Sequence, residues 1–420
     1  MTHSYNDQRV QLLVCSAISR WALARGFREP AASAVRLMLL FAAVAGVHVD
    51  HPRATAGELE HIVVHRDDTM YYITPWLIRL KNGELIVTAR EAHRRPRHLI
   101  SHVDPTARGI LLRSRDSGRT WGEKRVIDDE THRFSQTEDV PVAQLSDGSL
   151  IVNTYSWTVS ALPAGAEVKG ANRYAINDVG GHPYIPVFEG TSLLRSVDQG
   201  RTWSPRQRIR MEGLGRFGAR APVTEMPDGS LFLAVHAKHG RFDRFRSYLI
   251  RSRDHGKTWG ELTPMAGKKD DQRTFVEPFV LVRKNGDMIA MYRTSGVLDR
   301  YVYQNESTDG GKSWTEPHNT ELYGFPSFLM ELKDGRILWL RGYRRQPYGL
   351  RAVLSRDGGK TWDAKNEIVL RDDGGTSDLG YPSAVEFEDG RVLVVYWFNQ
   401  EKEGDPESET RYLAGTFFKP

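Results

Sequence analysis

One eight-residue phrase occurs five times in this chain, and a repeat of that kind limits the fold more sharply than any single residue could. It stands at residues 114–121, 196–203, 252–259, 307–314 and 355–362, and every copy fits S-x-D-x-G-x-[ST]-W. Each position has a physical use. The Asp can accept backbone N–H bonds inside its own turn, and the Gly supplies the positive φ of a tight hairpin. The Ser or Thr hydroxyl bonds locally, and the Trp offers a large apolar face to neighbouring strands.

A second signal interleaves with the first. Apolar strands flank six Asn-Gly or Asp-Gly pairs: Asn82-Gly83, Asp147-Gly148, Asp228-Gly229, Asn285-Gly286, Asp334-Gly335 and Asp389-Gly390. Such a dipeptide between alternating hydrophobic runs is a hairpin signal. The pairs recur at intervals of roughly 50 to 80 residues, the range of propellers and solenoids. The pattern predicts an all-β chain, a six-bladed β-propeller with four strands per blade. The sixth unit lacks its octapeptide and ends with one strand, 411–417. The N-terminal strand 59–65 is expected to complete that blade and close the ring, leaving no open edge.

Two regions follow from this reading. Residues 57–420 form the propeller, and residues 1–56 form an N-terminal leader. In the leader, Arg20, Arg25, Arg28 and Arg36 precede the apolar run 37–47, which has the length of a signal-peptide core and is too short to span a bilayer. It predicts a secreted or periplasmic protein, with a cytoplasmic one as the alternative, and no stable membrane insertion. The single cysteine, Cys15, lies in the leader, so disulfide and thiolate chemistry are not expected in the propeller. Lys and Arg number 58 against 53 Asp and Glu, a net charge of +5 with both signs interspersed. That argues against a nucleic-acid stripe and is compatible with an anionic small substrate. No spacing points to a metal site, and no cofactor is expected.

On the octapeptides and the six hairpin units, residues 57–420 resemble the sialidase (neuraminidase) superfamily, whose repeats are called Asp boxes or BNR repeats. The repeats imply the fold; function rests on residues at the inner strands. Glu277 opens one strand of the fourth unit and Arg293 closes its hairpin partner. This is similar to the family's Glu that assists the nucleophile and its Arg that clamps a substrate carboxylate. Tyr381 opens a strand of the sixth unit, as the family's tyrosine nucleophile does. A neutral phenol can approach an anomeric carbon that bears a carboxylate, where an Asp or Glu would be repelled, and it needs an adjacent base. Arg351 resembles a second clamp arginine, and Asp104 the family's acid/base Asp. The family's first arginine sits in an Arg-Ile-Pro phrase in blade one; the corresponding stretch here is Tyr72-Ile73-Thr74-Pro75. Arg90, Arg94, Arg95 or Arg97 could replace it from across the hairpin, with Arg90 the chosen candidate. His93, His98 and His102 cluster nearby as further proton donors.

The resemblance implies an exo-acting glycosidase of the sialidase type. Arg293, Arg351 and Arg90 would hold the carboxylate of a terminal sugar, Tyr381 would attack with help from Glu277, and Asp104 would protonate the leaving group. A lyase acting on uronic-acid polysaccharides and a non-catalytic carbohydrate-binding propeller are the alternatives. The expected partner is an acidic sugar or glycoconjugate.

Overall fold

The computed structural model describes residues 59–95, 103–133, 135–161, 184–238, 244–268, 271–295, 300–402 and 405–420. The leader with Cys15 and the signal-peptide expectation, and Arg97, His98 and His102, lie outside them. The described chain forms six antiparallel sheets, and each is a blade of a six-bladed β-propeller. The first strands of the blades surround the axis: Met70–Arg79, Val142–Gln144, Thr224–Glu225, Thr274–Val282, Ser327–Glu331 and Gly380–Glu386.

The Asn-Gly and Asp-Gly pairs turn from the first strand to the second in every blade. Gly83, Gly148, Gly229, Gly286, Gly335 and Gly390 all have positive φ, and each donates its N–H to the carbonyl three residues earlier. The octapeptides turn from the third strand to the fourth. In each copy the Asp accepts from the Ser hydroxyl and from the backbone N–H and hydroxyl of the Ser or Thr four residues on. The Ser hydroxyl in turn accepts the glycine N–H, which leaves the turn internally satisfied.

That glycine has a second role. A Cβ on Gly118 would lie 2.4 Å from Leu393 of blade six, and one on Gly359 would lie 2.4 Å from Ile289 of blade four. Each turn is therefore pressed into the preceding blade, which makes the octapeptide an inter-blade seam.

The ring closes as expected. Glu60–His65 pairs antiparallel with the last strand, Asp405–Phe418, in the register His61 to Thr416 and Val63 to Ala414. Blade six is thus built from both ends of the described chain.

Candidate active site

At the axis, three blades share one local construction. Thr74-Pro75, Glu277-Pro278 and Tyr381-Pro382 each form a bulge within an inner strand, between Ile73 and Trp76, Val276 and Phe279, and Gly380 and Ser383. The residue before each proline has φ 52°. A left-handed conformation at a non-glycine residue costs of order 1–3 kcal/mol, and most for a β-branched one such as Thr74. The bulge breaks the strand's alternation and aims three side chains at the axis. Thr74, Glu277 and Tyr381 line one narrow cavity there, with Asp139, Arg220 and the aromatic residues Trp76 and Phe279.

The Tyr381 hydroxyl donates to Glu277 Oε1 at 2.8 Å. The ring is stacked on Trp397, centroid to centroid 4.5 Å, so the phenol is held from its face as well as its tip. Glu277 also meets Arg293 Nη1 at 3.1 Å and Arg220 Nε at 3.1 Å. Arg220 passes over the Tyr381 ring at 5.0 Å and pairs with Asp139 at 2.9 Å. Arg344 lies over the same ring at 5.7 Å, anchored by the Leu379 carbonyl at 3.1 Å and by Asp378 at 3.6 Å. Its Nη2 is buried without a hydrogen-bond partner among the described residues. Nearby, the backbones of blades five and six pack closely at Gly342 and Gly380: a Cβ on Gly342 would meet the Phe325 carbonyl at 2.8 Å and Gly380 Cα at 3.1 Å.

The charges set the protonation states. Burial would raise the Glu277 carboxyl, but Arg293, Arg220 and the Tyr381 hydrogen bond bring it down to about 2. Burial raises the Tyr381 phenol well above its ordinary value; Arg220, Arg293 and Arg344 oppose this, and the Glu277 charge adds to it. The resting pair is a carboxylate and a neutral phenol. Burial lowers His236 to about 4, with Arg220 and Arg293 adding to the effect against Glu277, so this imidazole is neutral at pH 7.

The structure joins Tyr381, Glu277 and Arg293 through the Glu277 carboxylate, and Arg351, Arg90 and Asp104 are not among the residues that line the cavity. Arg351 stands on the third strand of blade five, opposite Arg341 and Val369. Its guanidinium donates to the carbonyls of Leu350 and Arg371 and lies over Tyr343. A third strand is two inter-strand spacings, about 10 Å, from the inner one, too far for a clamp at the axis. Arg90 is fully buried and donates to the Tyr71 hydroxyl and Gln136, both at 3.4 Å. Asp104 is held by Arg95, by the Thr106 amide at 2.9 Å and by Tyr71. Burial pushes its carboxyl up, but Arg95 and Thr106 outweigh this and keep it below the usual range. His93 is exposed.

Sequence reasoning missed Arg220, Arg344, Asp139 and Thr74. A signal for one was present: Arg220-Ala221-Pro222 has the Arg-x-Pro spacing sought in blade one, two blades further along. Among the described residues no three His, Cys, Asp or Glu side chains gather to hold a metal, and no helix is long and apolar enough to cross a membrane.

Comparison with known proteins agrees with this architecture. Residues 109–394 match the model of the BNR repeat-like domain. A sialidase of Micromonospora viridifaciens is 26% identical over 311 residues, which cover 68% of this chain and 44% of that one. The chain thus matches less than half the length of that relative. A Dyadobacter fermentans protein of unknown function superposes with a TM-score of 0.69 at 28% identity, covering 88% of this chain and all of the other. A leech intramolecular trans-sialidase superposes at 0.59 and 13% identity, covering 85% and 70%. The chain belongs to the BNR repeat-like family, as a six-bladed propeller of the sialidase superfamily.

Proposed function

We propose that the protein is a glycoside hydrolase that releases a terminal carboxylated sugar, sialic acid or a relative, with Tyr381 as nucleophile and Glu277 as its base. The observation that carries this reading is the 2.8 Å Tyr381–Glu277 hydrogen bond beneath three guanidinium groups. The similarity to the Micromonospora viridifaciens sialidase supports it.

Arg220, Arg293 and Arg344 form the clamp. Their fork geometry suits a carboxylate, and Arg344 has a donor to spare. The substrate's charge also prepares the nucleophile. The guanidinium groups hold Glu277 so acidic that, unless their charge is engaged elsewhere, it is a poor base. A substrate carboxylate that pairs with them weakens that hold, and Glu277 becomes more basic when there is something to attack. The phenol oxygen then bonds to the anomeric carbon, its proton passes to Glu277, and the bond to the leaving group breaks. Water hydrolyses the glycosyl-tyrosine, and the phenol recovers its proton.

The test is release from a panel of 4-methylumbelliferyl sialosides, other nonulosonates and uronides. Wild type should release the fluorophore from at least one, and Tyr381→Phe should lose at least about 10³-fold in kcat with KM little changed, because the phenol attacks but does not clamp. Turnover surviving in Tyr381→Phe would rule out the phenol as nucleophile. Ultraviolet absorbance from a new C=C bond would instead identify a lyase, and binding without release a carbohydrate-binding propeller.

A further inference from the structure

Resting on that reading, we propose that Asp139, not Asp104, is the proton donor to the leaving group. The inner strand of blade two is broken between Ser135–Thr137 and Val142–Gln144, and Asp139 stands in the break. It lines the same cavity as Tyr381 and Glu277 and is 2% exposed. Asp104 does not line that cavity and is tied as a carboxylate to Arg95.

Charge counting explains why a proton can stay on Asp139. Arg220 is shared by three acids: Asp139 at 2.9 Å, Glu277 at 3.1 Å and Glu138 at 3.6 Å. Asp139 and Glu138 share Arg220 with Glu277, with Arg90 facing them as well, and in a buried site that crowding of carboxylates favours one acid retaining its proton over part of the ordinary pH range. Glu277 is served a second time, by Arg293. Asp139 faces Glu138 on its own segment, Thr74 and Arg90 from blade one, Tyr155 from blade two, Arg220 from blade three and Glu277 from blade four. Burial is the largest cause of the rise in its carboxyl to about 6, with Glu138 and Glu277 adding to it against Arg220 and the Thr74 hydroxyl.

The step balances without a further reagent. As the Tyr381 oxygen bonds to the anomeric carbon, the bond from that carbon to the leaving oxygen breaks, and that oxygen takes the Asp139 proton. The Asp139 carboxylate then accepts a proton from the water that attacks the glycosyl-tyrosine. Thr74 acts as a positioning residue: its hydroxyl donates to the Glu138 carbonyl at 3.3 Å and so holds the segment that carries Asp139 at the cavity.

The experiment compares two glycosides of whichever sugar the wild type releases, one with a 4-nitrophenyl and one with a lactosyl leaving group. Nitrophenolate departs without protonation, whereas a sugar alkoxide does not. Asp139→Asn copies the shape of the protonated acid. It should lose about 10²- to 10⁴-fold on the lactosyl substrate and under about tenfold in the glycosylation step on the nitrophenyl one, with azide speeding the second step. In wild type, kcat/KM for the lactosyl substrate should fall as pH rises through about 6, with no such limb for the nitrophenyl substrate. This profile decides the matter even where Asp139→Asn does not fold. Equal losses on both substrates, a limb common to both, or leaving-group dependence in Asp104→Asn instead would overturn the proposal. Wild type that releases no carboxylated sugar overturns the functional reading and this proposal together. Wild type that does so without the leaving-group signature overturns this proposal alone.

Discussion

Arg344 is the single residue on which the proposed carboxylate clamp is most directly tested. It lies over the Tyr381 ring, is anchored by one carbonyl and one carboxylate, and keeps a buried donor without a hydrogen-bond partner among the described residues. Lysine would keep the charge and lose the fork. Arg344→Lys is expected to raise KM by about tenfold or more, the equivalent of one charge-assisted hydrogen bond, with kcat less affected. Steady-state kinetics on the preferred substrate would show this, and an unchanged KM would remove Arg344 from the clamp. Residues of this kind were only partly legible in the sequence. Tyr381 and Glu277 each stand before a proline in the first half of an inner strand, a local pattern that the sequence displays. Arg344 follows the end of a second strand and Arg220 precedes a short inner one, and their meeting depends on which blades become neighbours around the axis. Arg351 misled for a related reason: spacing along the chain does not reveal that a third strand lies too far from the centre.

Among the elements, the octapeptide turns were the most legible, because every interaction they make locally is encoded within eight residues. What the phrase did not disclose is its seam with the preceding blade, a contact between segments far apart in sequence. The two functions can be separated. Asp357→Ala removes the acceptor of the internal bonds and should cost about 1–2 kcal/mol. Gly359→Ala adds strain at φ 89° and a clash with Ile289, and should cost more. Chemical denaturation would rank them, and the reverse order would argue against the seam. The hydrogen bonds from Thr361, with those from Ser355, overcome burial and draw Asp357 down to about 2, and the other four Asp residues of the phrase are lowered as well. Carboxyls depressed in the folded state contribute stability that is present above their ordinary range near pH 4. That contribution is lost as the pH falls through the folded values. The melting temperature should therefore drop steeply between about pH 4 and pH 2, and a flat profile there would contradict the assigned bonds.

For the whole molecule, closure through Glu60–His65 was legible because a last unit short of one strand and an early strand short of a partner imply each other. Removing the chain up to Arg66 should expose the edge of Asp405–Phe418, lower the melting temperature and promote self-association. Light scattering and calorimetry on the truncated protein would reveal both effects. The same pairing carries a consequence for biosynthesis. At ordinary translation rates of about 5–20 residues per second, roughly 20–70 s separate the emergence of Val63 from that of its partner Ala414. Through that interval the early strand waits on the ribosome without its mate. Its charged and imidazole side chains, Glu60, His61 and His65, flank the apolar run Ile62, Val63 and Val64. Polar residues on both sides of so short an apolar run keep it from settling on a neighbouring nascent chain before the ring can shut.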